Sequence, residues 1–117
     1  MTPEQLLALE PGRELNRLVA LKVMGYEQSR FQVGYVRKGA YATYPKHYSS
    51  DISAAWEVVE RFPIVNLSRI EIFEGNYHHA VEIYADSETN EPSMVEAHTA
   101  PEAICKAALL AVMDKEE

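Results

Sequence analysis

Apolar residues recur at helical spacing in three long stretches of the chain and alternate in others. Leu15, Leu18, Val19 and Val23 form one stripe, with Arg13, Glu14, Arg17 and Lys22 off it, which predicts a helix from about Arg13 to Met24. Gly25 follows the last periodic residue and stops it. A shorter helix precedes it, with Thr2 as cap, Pro3 at its first position and Gln5 closing a capping box, before Pro11 and Gly12 interrupt. Ile52, Ala55, Trp56, Val59 and Phe62 keep an i, i+3, i+4, i+7, i+10 pattern, capped by Ser49 or Ser50 and ended by Pro63. Thr99 and Glu102 make a second capping box for the last helix, "EAICKAALLAVM". That helix is apolar around most of its circumference and needs cover on more than one side.

Between the helices the period falls to two. "RFQVGYV" alternates with Phe31, Val33 and Tyr35 on one face and reads as a strand, while "AYATY" reads as a second short strand or a loop. "SRIEIFEGNYHHAVEIYAD" is a hairpin about "EGNY", with Ile70 and Ile72 on one arm and Val81 and Ile83 on the other. The polar connection "SETNEP" leads to a short segment around Met94 to Ala97 with strand character. The expected fold class is α+β. It is a layered α/β/α sandwich around a mostly antiparallel sheet of three to five strands, with three main helices in one domain over residues 1–117.

Composition adds limits. A chain of 117 residues, 47% hydrophobic and 25% charged, is long enough to bury one core without staples. Its one cysteine, Cys105, forms no intramolecular disulfide and fits a reducing cytoplasm. The N-terminal "MTPEQLLALEPGRELNR" has none of the pattern of a secretory signal, and no window has the apolar length of a membrane span. A formal net charge of −7 argues against a nucleic-acid polymer as partner, because such binding draws mainly on cations that neutralise phosphates.

One stretch runs against that acidity. "RKGAYATYPKHYSS" holds Arg37, Lys38, Lys46 and His47 together with Tyr41, Tyr44 and Tyr48, and no acid. It ends at Ser49, Ser50 and Asp51, where a helix N-terminus offers free N–H groups and a favourable dipole to an anion. His98 and Thr99 stand at a second helix start and join the site if both starts share a sheet edge. Trp56, on the inward stripe of its helix, is a core anchor first and a ring at a pocket wall second. No metal site or cofactor is expected: His78 and His79 are neighbours in a strand and point to opposite faces, and metal-ligand spacings are lacking. Catalysis has no clear seat either. Cys105 falls in an apolar helix, Ser49, Ser50 and Thr99 read as caps, and there is no nucleophile elbow or phosphate loop.

Three segments also carry a family resemblance. "PGRELNRLVALKVMGY", with Val23, Met24, Gly25 and Tyr26 at its end, resembles an amphipathic helix of small bacteriophage proteins with the phage ABA sandwich domain. "HYSSDISAAWEVVERF" resembles their Tyr-Ser-Thr-Asp segment and Ala-Trp helix, with Ser50 in place of threonine, and "TAPEAICKAALLAVM" their Thr-Ala-Pro and Ala-Ile-Cys helix. The resemblance implies layers of α, β and α, a phage or prophage origin and a bacterial host cytoplasm. It implies no catalytic residue.

The expected function is therefore that of a non-catalytic phage accessory protein that binds a small anionic, nucleotide-like ligand, sequestering a host signal. The alternative is an interaction module that occludes a host protein through the acidic stretch "DSETNEPSMVE", and a third reading is an enzyme acting on a small metabolite. A homodimer is expected if a second copy covers an exposed sheet edge or the last helix.

Overall fold

The structure, a computed structural model, describes residues 1–30, 32–88 and 90–116, with side chains to Met113 in the last helix. The described elements are α1 (Pro3–Leu7), α2 (Arg13–Lys22), β1 (Glu27–Gln28), β2 (Val36–Lys38), β3 (Tyr41–Thr43), α3 (Ile52–Val59), β4 (Ile64–Phe73), β5 (Asn76–Tyr84), β6 (Ser93–Ala97) and α4 (Ala100–Glu116). The α+β class holds. The strands divide into two antiparallel sheets of three, ordered β1-β2-β3 and β4-β5-β6.

α4 is the hub. It packs on β5 and β6 with one side and on α1, α2 and α3 with others. Its residues Ala103, Ile104, Cys105, Ala107, Ala108 and Leu109 are all buried, as the nearly all-round apolar pattern requires. The many alanines let neighbouring backbones come close, so a single helix can serve several layers. Lys106 is the polar exception, 4% exposed. Its ammonium lies 2.6 Å from the Glu102 carboxylate one turn earlier and donates to the Leu7 carbonyl at 2.9 Å, tying the C-terminal end of α1 to α4.

In the larger sheet Val81 pairs with Val95, and Val65 and Leu67 stand opposite Ile83 and Val81, giving one apolar face. Val81, Ile83 and Val95 are buried under α4, whereas β4 at the sheet edge is exposed along almost its whole length. Gly75, at φ +77, makes the hairpin turn between Phe73 and Asn76, where "EGNY" predicts it.

The α1 capping box between Thr2 and Gln5 is present as expected. Gly25, at φ +81, follows α2 as its stop. Three local expectations change. The stretch 32–35, within "RFQVGYV", is not strand: Tyr35 N–H closes back on the Gln32 carbonyl, Gly34 turns at φ +84, and Val33 projects fully into solvent. Strand pairing falls instead on Glu27–Gln28 against Val36–Arg37, and Val36 is the buried residue. Phe31 lies outside the described residues. "AYATY" does supply β3. In α3 the buried face is Ala54, Ala55 and Val58, one step round from the expected stripe, because the small alanines pack on α4. Trp56 is thus turned outward at 49% exposure and is not a core anchor. The α3 cap is Asp51, whose carboxylate accepts from Ser53 N–H at 2.8 Å. Neither Ser49 nor Ser50 caps it.

Candidate functional site

The basic stretch spans β2, β3 and the lead into α3, and the fold brings acids to it. In the β1–β2 register Glu27 stands opposite Arg37, and the two form an ion pair. The Lys46 ammonium lies 2.8 Å from the Glu57 carboxylate of α3, whose hydrogen bond and charge raise the lysine pKa. Lys38 sits over the Tyr26 ring, 5.6 Å from its centroid, and makes no ion pair among the described residues. Two of the three basic charges are therefore compensated locally.

The tyrosines divide in the same way. Tyr44 packs on Tyr35 with ring centroids 4.1 Å apart, and the neighbouring Tyr44 hydroxyl raises the pKa of Tyr35. Tyr41 stands in solvent at 69% exposure, while Tyr48 is buried and its hydroxyl is pushed up to about 12, chiefly by desolvation. A depression of about 120 Å³ is lined by Tyr26, Tyr41, Tyr44 and Tyr48, together with Val36 and Lys46.

Ser49 has a structural task. It is fully buried, its N–H donates to Asn16 Oδ1 at 2.8 Å, its hydroxyl donates to the same oxygen at 2.6 Å, and Gly12 N–H donates to Ser49 Oγ at 2.9 Å. The apolar pattern does not single out Asn16, whose signal in the sequence is a lone amide inside the stripe of α2. Ser50 and His47 lie exposed in the turn before α3, where Ser50 and Asp51 N–H groups donate to the His47 carbonyl. Because Asp51 already places a carboxylate at the α3 N-terminus, a second anion there would meet like charge.

His98 and Thr99 line or adjoin a separate depression of about 380 Å³, formed with Leu7, His78, Glu96 and Glu102, which shares no lining residue with the tyrosine cleft. His78 Nδ1 is 3.0 Å from Glu96, and its ring stands edge-on to His98 at 4.8 Å. His79 turns away and its Nδ1 meets the His98 carbonyl at 3.2 Å. Thr99 Oγ1 accepts from Glu102 N–H at 3.3 Å, so it does act as a cap, while the Glu102 carboxylate serves Lys106. Trp56 does not line the tyrosine cleft. No group of three His, Cys, Asp or Glu side chains able to hold a metal stands together among the described residues. Nor, among them, is any helix long and apolar enough to cross a membrane.

The family model described as the phage ABA sandwich domain matches residues 17–109, well over half of the chain. The chain belongs to the phage ABA sandwich family. A similar solved structure is the 2.0 Å crystal structure of a phage protein from Bacillus cereus ATCC 14579. It is 34% identical, covers 89% of this chain and 93% of its own, and superposes with a TM-score of 0.70. No curated protein matches. The three segments that resemble the family fall on α2, on the Tyr48–Asp51 lead into α3, and on α4. They are the parts that build the buried Asn16–Ser49 contact and the central helix. In this ABA sandwich chain the first two family segments contribute Ala20, Tyr26 and Tyr48 to the tyrosine cleft, and β2 and β3 contribute Val36, Tyr41 and Thr43.

Proposed function

We propose that this phage protein is a non-catalytic accessory protein that holds a small anionic, nucleotide-like ligand, seating one flat group of it in the tyrosine cleft and keeping it from a host receptor. The observation that carries this reading is the convergence of Tyr26, Tyr41, Tyr44 and Tyr48 with Lys46 on one depression. Aromatic faces stack on a planar ring, Lys38 over the Tyr26 ring offers charge beside it, and the Lys46 ammonium can serve an anion by leaving its pairing with Glu57. A cleft of about 120 Å³ is well below the ~300 Å³ at which pockets begin to enclose a whole ligand, so it takes one ring or one phosphate and leaves the rest outside. Holding is favoured over conversion because Cys105 is buried with its thiol pushed up to about 12, and Ser49 is fully engaged by Asn16 and Gly12.

The test is calorimetric titration with a panel of ribonucleotides and cyclic nucleotides, alongside native mass spectrometry of protein purified from its host, before and after denaturation. A mass released on unfolding and a saturable heat are expected, both lost in Tyr41→Ala/Lys46→Ala. Retention unchanged in that variant would sink the placement. A stoichiometric host protein with no small-molecule mass would point instead to occlusion of a host partner.

A further inference from the structure

We propose that two copies of this chain pair through the free edge of β4, antiparallel and centred on Ile70. The ten residues of β4 form one edge of the larger sheet, with β5 on the other side. A strand edge left open presents a row of unpaired N–H and C=O groups, which proteins usually blunt with charge, proline or a covering segment. β4 carries only Arg69 and Glu71 as charges, and Ile64, Leu67, Ile70, Ile72 and Phe73 are all exposed. The edge is thus long and apolar, with one positive and one negative side chain near its centre.

Those two charges select the partner and the register. A two-fold axis perpendicular to the sheet makes two identical edges antiparallel and keeps each side chain on its own face, so the allowed registers differ by steps of two residues. Centred on Ile70, the pairing sets Ile70 against its own copy and Arg69 against Glu71 of the other chain, twice by symmetry. Centring on Arg69 sets arginine against arginine, and centring on Glu71 sets glutamate against glutamate. The strand is therefore self-complementary in one central register and repelled in its two neighbours. Arg69 is also held in place, its guanidinium stacked 3.8 Å from the centroid of the Tyr77 ring on β5. The β4–β5 register shifts between Glu71 and Phe73, just past the centre, and Ile70, Ile72 and Phe73 of both copies are exposed there to supply apolar cover. None of these residues lines the tyrosine cleft, so the pairing stands or falls independently of ligand binding.

The experiment is sedimentation velocity of the full chain across a concentration series, with circular dichroism as a check on folding. The wild type is expected at twice 13.2 kDa. Arg69→Glu and Glu71→Arg each turn two attractive contacts into repulsive ones and should raise the dissociation constant about tenfold or more. Arg69→Glu/Glu71→Arg restores opposite charges and should return the dimer, and Ile70→Lys should leave a folded monomer. A wild-type monomer throughout the series overturns the proposal. So does a dimer that ignores both single reversals, or one that the double exchange fails to recover.

Discussion

Replacing Asn16 by alanine should cost more than any exposed polar substitution in this chain. Asn16 Oδ1 accepts from both Ser49 N–H, at 2.8 Å, and Ser49 Oγ, at 2.6 Å, and both residues are buried. Without that oxygen the Ser49 N–H has no acceptor and is sealed from water, a loss of about 1–3 kcal/mol. The hydroxyl can turn toward the Gly12 carbonyl, but at 3.5 Å this recovers little. Adding the lost packing of the amide, Asn16→Ala should destabilise by about 2–4 kcal/mol. At ~2.1 cal/mol/K per residue, unfolding of a chain this size loses roughly 4 °C of Tm per kcal/mol, so the midpoint should fall by about 8–16 °C. Urea unfolding of Asn16→Ala, Ser49→Ala and the double variant measures the coupling, expected at about 1–2 kcal/mol. A loss in Asn16→Ala below about 0.5 kcal/mol, or additive single effects, would refute the view that this contact pins the α3 lead to α2. Since that lead carries Lys46 and Tyr48, the same variant should also weaken any ligand held in the cleft.

Further predictions concern Trp56, Cys105 and Tyr48. Trp56→Ala should cost under about 1 kcal/mol, against the ~3–5 kcal/mol of a buried aromatic, and the wild-type indole should be open to collisional quenchers; a large loss of stability would place the ring in the core. Cys105 and Tyr48 are both neutral acids raised by burial to about 12, from 9.0 and 10.0. The folded chain therefore holds these protons more tightly than the unfolded one, and their stabilising contribution is whole below about pH 9 and is lost as pH rises toward 12. Stability measured from neutral to alkaline pH should decline across that window, and thiol reagents should modify Cys105 only on unfolding; fast labelling of the folded chain would contradict its burial.

What could be read along the chain was what its chemistry settles within a few residues. The Thr2–Gln5 box, Gly25 after α2, Gly75 in the hairpin and the all-round apolar α4 each follow from neighbours in sequence. The features that depart from the local pattern depend on partners far away. Which face of α3 is buried is decided by the alanines that meet α4, so a stripe drawn through Ile52 and Trp56 missed by one position. Gly34 broke an alternation that looked continuous from Phe31 to Tyr35, since a left-handed glycine reverses the chain without altering the apolar pattern. The basic stretch was visible as composition. Its compensation was not, because Glu27 and Glu57 reach Arg37 and Lys46 only through strand register and helix placement. Ser49 looked like a cap for the same reason, its true partner lying 33 residues away.

The central position of α4 has a bearing on how the protein is made. Residues 1–99 leave the ribosome before it, and within that span β5, α2 and α3 all lack the surface they bury against. At a synthesis rate of roughly 5–20 residues per second the nascent chain spends seconds with Leu15, Val58, Val81 and Ile83 uncovered. Tertiary structure should therefore lock in only once α4 is free to pack, making the arrival of that one helix the committing step.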